Sequence, residues 1–374
     1  MQLLPLRLGM QCKDRDYDYV SELHGKYWVL QNFLHAEHEP LRCSLSVTYA
    51  THAEYSYLDN LEPLVQRWQA PISLAIYAPG EDLLPAVERI HWLRQCKQLI
   101  HQWVSFHLYY DVAHTPQMRS ELQLRTPPTQ VNCSAAPTFG QTATLYRKRV
   151  KLGYPMNTGR NIAKAAAITH YVLVSDIELY PSPGLPAGFI HMLSRNMQLL
   201  QPARPIVYPL HTFEVAANAS VPSTKAQLQQ QLANNSAVIF HKHICLHCHA
   251  IPRQQEWINA SSQSTLIEVF NAANRTYEYN RWEPTYIGTV NDPPYDEHYK
   301  WENMYDKLLQ VYTLCALGYE FHILDNAFLV HRPSIKLCHD KQRVQASKLA
   351  YSKIRRELKY QRISWYGARL GCAI

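Results

Sequence analysis

The chain has 374 residues, 47% of them hydrophobic and 18% charged, with a formal net charge of +7. That composition excludes a disordered chain, and the length suffices for one large α/β domain or two smaller ones. A basic balance suits an anionic ligand, but no helix-turn-helix, RNP-like or finger pattern accompanies it, so nucleic acid is discounted as a partner.

Residues 1–41 read as an N-terminal extension. Met1 to Met10 is interrupted by Pro5, Arg7 and Gly9, is too short to span a bilayer, and runs straight into polar Gln11 to Asp18. It makes a poor signal peptide, and a membrane anchor missing from this chain is expected instead. From Arg42 the pattern alternates strand and helix. Cys43 to Tyr49 reads as a strand, and Leu58, Leu61, Leu64, Val65 and Trp68 then share one helical face. Ile72 to Tyr77 is a second strand, and Leu83, Leu84, Val87, Ile90 and Leu93 mark a second amphipathic helix. Val104 to Tyr110 is a third strand. This β-α-β-α-β run predicts a parallel, doubly wound sheet.

Residues 112–145, rich in Pro, Thr and Gln, read as a long surface loop. A helix follows from about Asn157 to Ile168, with Asn157 or Thr158 as its cap. The buried strand Tyr171 to Val174 ends in Ser175-Asp176-Ile177-Glu178, after which Pro181, Pro183 and Pro186 oppose regular structure. Further on come a strand near Pro205 to Pro209, a Gln-rich helix from Lys225, and a helix from Trp301 to Leu317 closing at Gly318. Two short strands, Phe321 to Leu324 and Phe328 to Val330, precede a basic helical tail over 341–374.

Five N-x-Ser/Thr sequons, at Asn132, Asn218, Asn234, Asn259 and Asn274, favour passage through the secretory lumen. Nine cysteines would permit disulfides there, with at least one left unpaired. Cys245 and Cys248 sit among His241, His243, His247 and His249. Zinc is one reading of that C-x-x-C, and a disulfide is the favoured one because no second pair with finger spacing follows.

Four groups of residues can carry chemistry. Asp176-x-Glu178 stands at the carboxyl end of a buried strand, where open α/β sheets bind ligands, and two carboxylates there can converge on a hard divalent cation. An isolated D-x-E is more often an exposed acidic turn; the preceding apolar strand favours the metal reading. Asn157, Arg160 and Asn161 lie near a helix start, where an arginine suits a phosphate or carboxylate. Asp296 and Glu297 follow a proline-pinned loop that begins at Asp292; either can take a proton from a sugar hydroxyl, and either can be a plain helix-capping acid. His331 ends a strand, and an imidazole there completes a metal site only if the fold returns it to Asp176 and Glu178.

Several stretches in the same order, PISLAIYAP, VSFHLYYD, YPMNTGRNIAKAA, YVLVSDIELYPSPGL, ICLHCHAIPRQQEW, WEPTYIGTVNDPPYDEHY and LGYEFHILDNAFLVHRP, resemble glycosyltransferase family 49 over about residues 42–340. The resemblance implies a GT-A type fold, α/β with a mixed, mostly parallel central sheet flanked by helices. It also implies a lumenal Golgi enzyme with a type II membrane anchor, Mn²⁺ as cofactor and UDP-glucuronate as donor. The transfer would be inverting, onto a sugar acceptor of a glycoprotein glycan. By the same resemblance Asp176 and Glu178 fall on the family's D-x-D, here D-I-E, His331 completes the metal site, and Asp296-Glu297 is the acidic pair near the acceptor. Asn157, Arg160, Asn161 and Asp176 are the expected donor-binding residues. The alternative is a catalytically silent glycan-binding relative of the same fold.

Overall fold

A computed structural model describes residues 12–117, 120–140, 145–260, 265–298, 306–337 and 363–372, with single positions at 349, 352, 356 and 361. The chain forms two compact units, one over Cys12–Ile177 and one running from Glu178 to the C-terminus. The span 42–340, read from sequence as a single domain, takes in parts of both.

In the first unit the strands are β1 (Val20–His24), β2 (Tyr27–Leu34), β3 (Val47–Ala53), β4 (Ile72–Tyr77), β5 (Val104–Asp111) and β6 (Tyr171–Val174). The helices are α1 (Leu61–Trp68), α2 (Leu83–Cys96) and α3 (Met156–Ala165). Strands β5, β4, β3 and β6 lie side by side in that order and run parallel. Every residue of β4 and β5 is buried, as expected of strands covered on both faces. The expected doubly wound βαβαβ run is therefore present. β2 adds antiparallel to β5, and β1 to β2, so residues 20–34 of the N-terminal stretch belong to the sheet. Leu61, Leu64, Val65 and Trp68 of α1 are buried as their spacing predicts, whereas Leu84 of α2 is 40% exposed.

β3 occupies Val47–Ala53, not the predicted Cys43 to Tyr49. Arg42 to Leu45 instead forms a turn, with Cys43 bonded to Cys12. The polar residues Thr48, Thr51 and His52 concealed the true strand because they read as solvent-facing, yet all three are buried. The 112–145 stretch carries one short helix, Glu121–Arg125, with a Ser120–Gln123 capping box, and the Cys96–Cys133 disulfide ties it to α2.

In the second unit the elements are β7 (Leu179–Pro181), α4 (Leu185–Arg195), β8 (Ile206–Val215), α5 (Lys225–Ala233), β9 (Ala237–Ile239), α6 (Gln254–Asn259), β10 (Glu268–Ala273), β11 (Thr285–Thr289), α7 (Leu308–Ala316), β12 (Glu320–Asp325) and β13 (Phe328–His331). The prolines after Glu178 do not prevent regular structure: Pro181 ends β7, and Pro186 sits in the first turn of α4, where no backbone donor is needed. β8 is the spine, fully buried over ten residues. It pairs parallel with β12 at Ile206 and Val207 and parallel with β13 from His211 to Glu214. Pro209 lies outside both parallel ladders but inside the antiparallel pairing with β11, where it stands opposite Tyr286, and the strand runs past the proline at which the sequence suggested a stop. Of the helix expected over 301–317, residues 301–305 lie outside the described residues and α7 covers Leu308–Ala316. Most of the basic 341–374 tail also lies outside them.

Four disulfides join Cys12–Cys43, Cys96–Cys133, Cys245–Cys248 and Cys315–Cys372, each within its own unit. The C-x-x-C is thus a disulfide and not a zinc site; Cys338 lies outside the described residues. Among the described residues no helix is long and apolar enough to cross a membrane.

Candidate functional site

In the first unit the parallel order β5-β4-β3-β6 reverses at β3, because the chain winds outward through β4 and β5 and returns to add β6 on the other side. The crevice beyond the carboxyl ends of β3 and β6 is the topological switch point at which such sheets take ligands. His52, near the end of β3, and Asp176, just past β6, both stand there. Tyr49 donates its hydroxyl to the Asp176 carbonyl at 2.9 Å and so fixes the turn.

The Asp176 carboxylate is held from two sides. Arg160, only 1% exposed on α3, donates from Nη2 to Asp176 Oδ1 at 2.8 Å and from Nη1 to Asn157 Oδ1 at 2.8 Å. A planar guanidinium can satisfy both acceptors at fixed geometry, which an ammonium cannot. His52 Nε2 lies 3.5 Å from the same Asp176 oxygen, and its Nδ1 is hydrogen-bonded to the Tyr154 hydroxyl at 2.8 Å. Arg147 pairs with buried Glu54 and lies over the Tyr154 ring, 5.4 Å from its centroid, closing the wall behind His52. Gly159 permits this approach: a Cβ there would come within 2.6 Å of the Tyr109 hydroxyl and 2.8 Å of His52 Cβ.

The sequence reading of α3 needs correction. The helix starts at Met156 with Pro155 in the cap position, and neither Asn157 nor Thr158 caps it. Asn157 lies inside the first turn, is 1% exposed, and spends its carbonyl on Arg160. Arg160 is accordingly a residue that positions Asp176. Asn161 is half-buried on the same helix.

In the second unit Glu178 and His331 come together. β13 pairs with β7 so that His331 stands opposite Leu179, and Arg332 donates its backbone N–H to the Glu178 carbonyl at 2.8 Å. His331 Nε2 is 4.0 Å from Glu178 Oε2. Its Nδ1 lies 2.8 Å from the Arg332 carbonyl, which can only accept, so Nδ1 carries the proton and Nε2 presents a lone pair. An imidazole nitrogen facing a carboxylate is a pair that a divalent cation suits when that nitrogen is unprotonated, and nitrogen with oxygen is a donor set that manganese accepts. Among the described residues no group of three His, Cys, Asp or Glu side chains could hold an ion. The structure brings together the pair Glu178 and His331; Asp176 is engaged with Arg160.

Around His331 the unit is densely built. Glu214, opposite it on β8, is fully buried and accepts backbone N–H groups from His241 at 3.3 Å and Lys336 at 3.1 Å. Burial raises its carboxyl above the usual carboxylate range, the two N–H donors opposing that rise. The Phe240 ring lies 5.8 Å from that of His331 and stacks on His241 at 3.8 Å, so the segment entering the Cys245–Cys248 disulfide packs against the histidine.

Asp296 stands just before a turn at Glu297 and His298, and residues 299–305, where the expected helix would continue, lie outside the described residues. The Asp296 side chain is 4% exposed, and its Oδ1 accepts the His298 N–H at 2.9 Å and lies 3.0 Å from His298 Nδ1. Glu297 is only half-buried. Asp292 accepts the Thr289 N–H and hydroxyl, each at 2.9 Å, and the Tyr319 hydroxyl at 3.2 Å, which makes it the brace of its loop. His52, Tyr154, Glu214 and His298 went unnoticed in the sequence. Only His298, two residues after a candidate acid, had a local signal; His52 and Glu214 are brought to their places by strand register, and Tyr154 by the segment that leads into α3.

The sequence profile of the family described as "Glycosyl-transferase for dystroglycan" matches residues 46–364. Beta-1,4-glucuronyltransferase 1 of Danio rerio is 30% identical over 82% of this chain and 72% of its own length. Xylosyl- and glucuronyltransferase LARGE1 of Gallus gallus is 24% identical over 86% of this chain but only 35% of its own. Among solved structures, S. aureus TarS 1–349 matches at 12% identity with a TM-score of 0.38, over 86% of this chain and 66% of that one.

Proposed function

This chain belongs to glycosyltransferase family 49, the glycosyltransferases for dystroglycan, and on that premise we propose that it transfers glucuronic acid from UDP-glucuronate, with inversion, to a sugar hydroxyl of a glycoprotein glycan. That it is a glycosyltransferase follows from the family. The donor is supported by relatives bearing the name glucuronyltransferase, at 30% identity and below.

The observation that carries the metal-dependent reading is the lone pair of His331 Nε2 facing the Glu178 carboxylate at 4.0 Å. Glu178 and His331 would hold Mn²⁺. Such an ion supplies positive charge to a departing nucleoside diphosphate. The chain's own residues do the rest. Arg160 and Asn157 fix the orientation of Asp176, and the Arg332 carbonyl holds His331 in the tautomer that leaves Nε2 unprotonated. Asp296 is the better candidate base of its pair, because a buried carboxylate held by His298 is oriented, whereas Glu297 is less enclosed. It would take the proton of the acceptor hydroxyl as that oxygen attacks the anomeric carbon.

Four disulfides and five sequons support a lumenal location. The Golgi is the compartment we assign. The test is a panel of UDP-sugars assayed with Mn²⁺ and with a chelator. Metal-dependent consumption of UDP-glucuronate is expected; consumption of another sugar overturns the donor, and no turnover of any sugar overturns the enzymatic reading.

A further inference from the structure

Three of the five sequons gather around one helix of the second unit. The side chain of Gln231, on α5, donates to the Ser220 carbonyl at 2.9 Å, which ties in the Asn218-Ala219-Ser220 sequon. From the same helix Gln229 donates to the carbonyls of Ile258 at 2.6 Å and Ala260 at 3.0 Å, on either side of Asn259. The third acceptor, Asn234, is the residue that ends α5. All three asparagines are exposed. These positions are far apart in sequence, and only the fold assembles them.

We propose that this face of α5 is a glycan shield, carrying N-linked oligosaccharides at Asn218, Asn234 and Asn259. The inference rests on the lumenal location proposed above. An attached oligosaccharide cannot be buried, so a usable acceptor must remain at the surface of the folded chain, and these three do. At Asn234 the local geometry suits the modification: Oδ1 accepts the Ser236 N–H at 2.9 Å and the Ser236 hydroxyl at 2.6 Å, so the amide oxygen is occupied and the linkage falls to Nδ2. In that reaction Nδ2 bonds to the anomeric carbon of an oligosaccharide carried on a lipid diphosphate. The anomeric C–O bond breaks, the diphosphate departs with its electron pair, and one amide proton is lost.

The helix face itself offers nothing better to a protein partner. Its exposed positions are Ala226, Gln227, Gln230 and Ala233, and its one charged residue, Lys225, is turned inward to Asp325 at 2.6 Å and over the Trp257 ring. An uncharged, small polar surface has no anchor of the kind that interfaces require and is suited to lie beneath sugar.

The test expresses the full chain in a secretory cell line and maps occupied sites by mass spectrometry of peptides released with an N-glycosidase. Asn218, Asn234 and Asn259 should each be found converted to aspartate, and each Asn→Gln variant, or Ser220→Ala and Ser236→Ala as milder alternatives, should remove one glycopeptide and one step of gel mobility. Glycan at Asn132 or Asn274 with none on the α5 face overturns the shield while leaving the lumenal location intact. No glycan at any site, together with digestion of the chain by protease added outside intact microsomes, overturns both. Transfer from UDP-glucuronate, assayed after enzymatic deglycosylation, should be unchanged and reports on the enzymatic reading separately.

Discussion

The two carboxylates of the D-I-E motif stand one residue apart in the chain yet live in different surroundings. Asp176 closes the first unit and is clasped by a buried arginine, with His52 beside it. Glu178 opens the second and faces a histidine whose proton is fixed on the other nitrogen. The first environment holds a carboxylate in place; the second offers electron pairs. A motif that reads as two equivalent acids therefore divides into one braced by an arginine and one facing a histidine, and the division predicts unequal responses to substitution.

The largest effect should come from the two proposed ligands. Glu178→Ala and His331→Ala are each expected to lower transfer by at least about a thousandfold, since a lost ligand removes several kcal/mol of transition-state stabilisation, and Asp176→Ala should cost less. Near-normal turnover of the purified Glu178 or His331 variant removes that residue from the metal site. Next, Asp296→Asn should cost about 10² to 10⁴ in kcat, with Glu297→Gln close to the parent enzyme; the reverse ranking assigns the base to Glu297. Arg160→Lys keeps the charge but cannot fork to Asn157 and Asp176 together, and should weaken Mn²⁺ binding or activity by about 10- to 100-fold. Calorimetric titration with Mn²⁺ measures this directly, and unchanged affinity would mean that the clasp is only structural.

Two predictions concern stability. Breaking Cys96–Cys133, which closes a separation of 37 residues, should cost about 3 to 4 kcal/mol in chemical denaturation. A loss below 1 kcal/mol would show that other contacts already hold the loop. Each unit also buries one histidine completely: His107 on β5 and His211 on β8, both with pKa lowered by burial to about 3. Unfolded histidine titrates near about 6.5, so between those values the unfolded chain binds more protons and stability rises with pH. The contribution is complete above the unfolded value and is lost as the pH falls toward the folded one. Glu214, raised by burial, works in the opposite sense. Melting temperature should therefore fall between pH 7 and 4.5, and His107→Gln should flatten that slope. His107 accepts the Asn32 N–H and is hydrogen-bonded to Ser73, whereas His211 has no hydrogen-bond partner among the described residues and stacks on Trp257 at 4.2 Å.

Where side chains follow a simple period, the elements were legible. The apolar runs at Ile72 and Val104 became strands, and the spacing of Leu61, Leu64, Val65 and Trp68 became a helix, because burial of one face or two imposes that pattern. Legibility failed where polar residues are buried against one another. Thr51 and His52 hid the end of β3, and Pro209 hid the length of β8, since neither a buried polar side chain nor a proline within a strand looks different from a loop residue in a one-dimensional string.

The sequence by itself determined the βαβ alternation through its periodicity, and through a resemblance of ordered motifs it pointed to the family and nominated the acids at 176, 178, 296 and 297 and the histidine at 331. Periodicity and motif are local properties. Only the tertiary structure decided which acid is braced by an arginine and which faces a histidine, that Arg160 serves Asp176, that Asp296 is held by His298, and that three distant sequons share one helix. Each of these depends on strand register and on the packing of segments remote in the chain, and such contacts form only when the chain folds.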